Sequence, residues 1–213
     1  MPGGSCSLKQ YYSSGCSLAP FEHDSDAVGT EVFAEFSRIA TKHLESSFFE
    51  SLDKHTPRII ELLQSKKGAA GLKIQELMAN LSSDVTARRS VVLKGLPIVF
   101  GDDPNKFYKT CFETTKDEAI DNVTVGVLTI LSEDDPEQPA STAIVLEGGI
   151  VMDKIRDLPQ AFCLIFGLTY ALNLDYPNCV GNTFKFIQSV MLGLGNKALP
   201  PKLLTVKNML FDE

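Results

Sequence analysis

Carboxylates are the side chains most able to do chemistry in this sequence, and they are concentrated between residues 102 and 137. That interval holds ten acidic residues, with runs at 102–103 and 133–135, against three lysines. Clustered carboxylates can bind Mg²⁺ or Ca²⁺, or act as a general acid and a general base. An EF-hand loop needs oxygens at alternate positions and a central glycine, and neither run has them. The pattern favours solvated loops with Asp103 capping a helix, and a divalent-metal-binding protein is the second alternative for function.

Histidine and cysteine form no motif with a recognisable spacing. The sequence lacks H-E-x-x-H, G-x-S-x-G and C-x-x-C, and its three histidines are His23, His43 and His55. Cys6, Cys16 and His23 would supply three ligands to a zinc ion, but their spacing matches no zinc finger and a fourth ligand is missing. The five cysteines are an odd number, which predicts reduced thiols. We therefore predict no metal, no cofactor and no enzymatic activity.

Basic side chains offer another chemistry, the binding of nucleic acid. Affinity for phosphate backbones rests largely on lysine and arginine. The second half of the chain, residues 96–213, holds 9 basic and 16 acidic side chains and accounts for the whole net charge of −7. This balance disfavours a nucleic-acid binder, although a local basic face is the first alternative for function. The residues of that face would be Lys66, Lys67, Lys73, Arg88 and Arg89.

The elements that must position these residues belong to an ordinary globular chain, with 44% hydrophobic and 22% charged residues. Residues 1–29 are rich in Gly, Ser, Pro and Tyr without periodicity, which predicts a flexible leader. They contain no apolar segment of the kind found in secretory signals, so we expect an intracellular protein, in the cytoplasm or nucleus. Residues 30–213 are expected to form a single domain, with 95–122 as the place of any subdivision.

Helical periodicity dominates the first half of that domain. Thr30 is the predicted N-cap of a first helix that reaches about Leu52, and Thr56 with Pro57 is predicted to start a second that ends near Gly68. The sequence KKGAAGLK is interpreted as that helix end followed by a turn, because it lacks the phosphate-binding frame G-x-x-x-x-G-K-[ST]. Further helices are predicted at 71–83, at 83–97 with closure by Gly95 and Pro97, and from 103 to about 112.

The periodicity then changes to the alternation that is typical of strands. Residues 123–131 and 141–152 alternate in this way, and the polar connection between them holds four acids and two prolines. We predict a two-stranded hairpin with a loose tip, and residues 96–100 are a candidate for a third strand. An isolated hairpin is marginal in water, so it must pack on helices or on another strand.

Residues 158–174 form the most apolar segment, with hydrophobic side chains on every face. About 16 helical residues reach roughly 24 Å, which is short of the roughly 30 Å of a bilayer core. The segment is therefore predicted to be the central helix of a core and not a membrane span, and helices at 180–194 and 201–210 are predicted to cover it. The predicted fold class is α+β, mostly helical, with the hairpin packed on the central helix.

Three strings carry a resemblance to a known family: VVLKGLPIVFGDDPNKFYKTCF, VGVLTILSEDD and IVLEGGIVMDKIRDLPQAFCLIFGLTYALNLDYP. From about residue 31 onward the chain resembles a multigene family of uncharacterised fish proteins named sterile alpha motif domain-containing protein 3-like. Members of that family often carry this region behind a sterile alpha motif domain. About 30 residues precede it here, too few for that domain, so its binding and oligomerisation are not implied. The resemblance implies no catalytic residues.

The function predicted from these observations is a non-enzymatic protein–protein interaction or scaffold module whose partner is another protein. The first predicted helix carries four phenylalanines, of which Phe33, Phe36 and Phe48 follow the apolar stripe while Phe49 lies off it. An off-stripe aromatic is more often a partly buried side chain than a contact site. If Phe49 is a contact residue, it is expected to anchor a partner within a polar rim. The sequence leaves the oligomeric state open.

Overall fold

The computed structural model describes residues 25–135, 139–195 and 198–211, so Cys6, Cys16 and His23 lie outside the described residues. The predicted α+β fold is confirmed, with a four-stranded sheet against a larger helical part. The α-helices are α1 (Ser25–Ala40), α2 (Leu44–Gln64), α3 (Gly68–Met78), α4 (Val85–Phe100), α5 (Pro104–Phe107), α6 (Lys116–Ile120), α7 (Leu158–Ala171), α8 (Gly181–Phe186) and α9 (Pro201–Phe211). The strands are β1 (Tyr108–Phe112), β2 (Val125–Leu131), β3 (Pro139–Leu146) and β4 (Gly149–Ile155).

The first two helices begin and end at other residues than predicted. α1 begins at Ser25, within the predicted leader, and ends at Ala40, where Thr41 adopts a positive φ of 54°. α2 then runs without interruption through Pro57. The predicted end of the first helix near residue 52 and the predicted start of the second at residue 56 were wrong. Proline removes only one helical hydrogen bond, and buried residues on both sides of it hold the helix to the core.

α3 and α4 also differ from the prediction at their ends. α3 begins at Gly68, which the sequence had suggested as the end of the preceding helix. α4 is capped by Asp84, whose carboxylate accepts a hydrogen bond of 2.7 Å from the Ala87 N–H.

The predicted closure of α4 at Gly95 and Pro97, and the predicted strand at 96–100, were wrong. The helix continues to Gly101, where a φ of 70° ends it in the left-handed conformation that favours glycine. Gly95 is required for packing, because a Cβ there would lie 2.7 Å from the side chain of Leu63 in α2.

The sheet has the order β1-β2-β3-β4, with β1 parallel to β2 and the other pairs antiparallel. The predicted strand at 123–131 is confirmed as β2, but the segment 141–152 is not one strand. It turns back at Glu147 and Gly148, whose positive φ values of 48° and 76° suit a tight two-residue hairpin turn. The third strand predicted at 96–100 is instead β1, which the sequence had placed in a helix. The Tyr108 hydroxyl anchors its start by donating to the Leu93 carbonyl at 3.0 Å.

The central helix is confirmed as α7. Asp157 caps it by accepting from the Gln160 N–H at 2.8 Å, and Phe162, Ile165 and Phe166 are fully buried. One face of the sheet packs on this helical core, and the other forms a smaller cluster with Ala119 and Ile120. Within the described residues, no helix is long and apolar enough to cross a membrane. The predicted covering helices are present as α8, a π-helical turn Ile187–Met191 and α9.

Gly167 sets how closely α7 approaches the first two helices. A Cβ at this position would lie 2.8 Å from Leu44 and 2.9 Å from Val32. We predict that Gly167→Ala lowers the free energy of unfolding by about 1–2 kcal/mol, because overpacking outweighs the gain in helix propensity. Chemical denaturation measures this difference. Gly181→Ala is the matched control, since nothing lies within 4 Å of its Cβ position; equal stability of the two variants would contradict the prediction.

His55 makes stability depend on pH. Its side chain is buried against the ring of Phe211, with centroids 4.8 Å apart. Burial and the adjacent Lys54 lower the pKa of His55, so the unfolded chain binds this proton more readily than the native protein. The contribution of neutral His55 is therefore present above the ordinary pKa near 6.5 and lost as pH falls through the folded pKa.

We predict that acidification from pH 8 to 5.5 destabilises the wild type more than His55→Gln, because the variant has no imidazole to protonate. Urea unfolding at both pH values gives the comparison. His43→Gln, at an exposed position, controls for the loss of a histidine and should keep the wild-type pH dependence. A His55→Gln variant with an unchanged pH dependence would show that other groups control the effect.

Candidate functional site

Phe49, the predicted contact residue, is half-buried in α2 and packed against the core. Its ring meets Phe48 edge-on at 5.2 Å, and the Arg89 guanidinium carbon lies 4.3 Å from its centroid. Arg89 comes from α4 and is held by two hydrogen bonds to Asp53, of 2.8 Å and 2.6 Å. We call Phe49, Arg89 and Asp53 the Phe49 stack. The prediction that the other three phenylalanines face the core is confirmed. Phe36 and Phe48 are fully buried, and Phe33 packs half-buried on the core.

The Phe49 stack is an intramolecular cation–π contact that links α2 to α4. Hydrogen bonding to Asp53 raises the pKa of Arg89, so its positive charge over the ring persists at any physiological pH. The Arg89 side chain is only 19% exposed. The ring of Phe49 therefore already has a cationic partner on one side, and its role as a contact for another protein stays a prediction.

The basic residues proposed to bind nucleic acid lie between α2 and α3, within α3 and near the start of α4. Arg89 is neutralised by Asp53 in the Phe49 stack. Lys67 occupies the N-cap position of α3, and Lys73 is exposed six residues further along that helix. Because Arg89 is paired with Asp53, the predicted basic face has one positive charge fewer to offer. Nucleic-acid binding stays a prediction.

Asp102, Asp103 and Glu133, from the two predicted acidic runs, contact other residues of the protein. Asp102 accepts hydrogen bonds from the Thr183 N–H, the Thr183 hydroxyl and the Asn182 amide, all between 2.8 Å and 2.9 Å. Asp103 occupies the predicted N-cap position without a capping hydrogen bond, and faces Lys106 at 3.4 Å. Glu133 accepts from the Thr114 hydroxyl at 2.8 Å. Within residues 25–135, 139–195 and 198–211, no three His, Cys, Asp or Glu side chains converge as metal ligands.

A groove with a cavity volume of about 950 Å³ lies where the C-terminal end of α7 meets the π-helical turn and residues 198–200. Tyr170 and Tyr176 contribute its aromatic surface. Tyr170 packs on Phe36 with centroids 4.9 Å apart, and Tyr176 packs on Phe184 at 5.2 Å. We call this cavity the aromatic groove. Its principal residues are Tyr170, Asn173, Tyr176, Lys185, Gln188 and Leu199.

The local backbone explains how these side chains come together. α7 stops at Ala171, Asn173 adopts a positive φ of 51°, and the Leu174 N–H returns to the Thr169 carbonyl at 2.9 Å. The chain therefore reverses at the end of the central helix and places Tyr176 back on the core. On the opposite wall, α8 continues into the π-helical turn, a distortion that occurs often at functional sites.

The aromatic groove is lined by several polar side chains, most of them exposed. Within the described residues, the side chains of Asn173, Asn178, Lys185 and Gln188 make no hydrogen bond or ion pair with the protein. Partial burial, together with neighbouring Tyr170, raises the pKa of the Tyr176 phenol. Tyr176 therefore keeps its proton at neutral pH and presents a hydroxyl donor.

Sequence reasoning assigned no site to these residues. Tyr170, Asn173 and Tyr176 lie in the string FGLTYALNLDYP, which is part of the sequence that carries the family resemblance. Two tyrosines close to an asparagine were the signal that the sequence offered. Comparisons with family models, curated proteins and solved structures find no match. The membership suggested by the resemblance stays a prediction.

The Phe49 stack generates a quantitative prediction about stability. Cation–π pairs at partly exposed sites contribute about 0.5–1 kcal/mol, so a double-mutant cycle of Phe49→Leu and Arg89→Gln should show a coupling of that size. Urea denaturation of the four proteins gives the coupling energy. The control cycle replaces Arg89→Gln by Arg58→Gln, since Arg58 is exposed on the same helix as Phe49. Zero coupling in the first cycle would contradict a stabilising stack.

Proposed function

We propose that this protein is a non-enzymatic interaction module, with a scaffold role, that binds a segment of another protein in the aromatic groove. The observation that carries the proposal is the pairing of an aromatic wall, Tyr170 and Tyr176, with amide and ammonium groups that have no hydrogen-bond or ion-pair partner within the described residues. The proposal places the protein inside the cell, in the cytoplasm or the nucleus. The free thiols of Cys111, Cys163 and Cys179 agree with that compartment.

The chemistry of the aromatic groove supports recognition of a polypeptide. Antibody paratopes, which recognise proteins, are enriched in tyrosine, serine and asparagine, because tyrosine offers a rigid, amphipathic contact and the small polar side chains adapt their hydrogen bonds. Tyr170, Tyr176, Asn173, Asn178 and Ser189 are residues of these types in the lining. The volume of about 950 Å³ is sufficient for a few residues of a bound chain, since ligand cavities span roughly 300–1,000 Å³.

The same lining is a poor match for catalysis. Nucleophilic and general acid–base mechanisms need an activated group beside a base that is poised near the working pH. Asp175 and Lys185 are the charged residues of the lining, and histidine and cysteine are not among its residues. The Tyr176 phenol, with its raised pKa, is a hydrogen-bond donor and not a base at neutral pH.

Selection from a random peptide library on the purified protein tests this function. We predict that selected peptides perturb the amide and side-chain NMR signals of the aromatic groove, and that Lys185→Glu weakens their binding at least tenfold by removing a donor and reversing its charge. Lys73→Glu carries the same charge change on exposed α3 and should bind as the wild type does. Peptides that bind elsewhere, or a selection that enriches none, would contradict the proposal.

The same assay separates the aromatic groove from the predicted contact at Phe49. Phe49→Ala should bind selected peptides with the wild-type affinity, provided that both proteins melt alike. A Phe49→Ala variant that keeps its stability but loses binding would move the contact surface to α2. Retained binding, with loss only in the Lys185→Glu variant, places recognition in the groove.

A further inference from the structure

We draw no further inference here: the strongest candidate, the cavity of about 590 Å³ between α1, the end of β4 and the start of α7, carries nothing, because its charged side chains, Glu45, Lys154 and Arg156, are exposed and nothing in the structure shows what covers it.

Discussion

Burial of α7 on all sides is the interaction on which the other elements depend, because each neighbour covers its own apolar face by packing there. α1 and α2 approach it at Gly167, where the absence of a side chain lets Val32 and Leu44 come into contact with the helix. The ring of Phe48 stacks on Phe162 with centroids 6.0 Å apart and planes at 14°. The sheet packs on the same core with its inner face. α7 contacts β2, β3 and β4 as well as α1, α2 and α4, so it joins the helical part to the sheet.

The aromatic groove inherits its geometry from this helix. Phe166 is buried in the core and contacts both groove tyrosines, so the position of the aromatic groove depends on how α7 packs in the core. Asp102 adds a second constraint, since its hydrogen bonds to Thr183 fix the start of α8. A surface built in this way is pre-organised, which would lower the entropic cost of binding a ligand if the proposed function holds.

The sequence was most informative where one physical requirement decided the structure. Residues 158–174 are apolar on every face, which only a buried helix satisfies, and the alternation at 123–131 predicted a strand. Predictions from the sequence were wrong where tertiary contacts outweigh local conformational preference. Pro57 resembled a helix start, but anchors on both sides carry α2 through it. β1 is a short strand without a clear alternation of its own, held by pairing with β2. The aromatic groove draws on residues from 39 to 200, and their proximity cannot be seen along the chain.

The position of α7 along the chain has a consequence for biosynthesis. It begins at residue 158, so a ribosome must synthesise α1 to α6 and the four strands before the central helix exists. Until then, the parts of α1, α2 and α4 that pack on α7 stay uncovered, and nascent chains with such surfaces attract chaperones and aggregate readily. Messages truncated before residue 158 would yield aggregation-prone fragments that cannot form the native hydrophobic core.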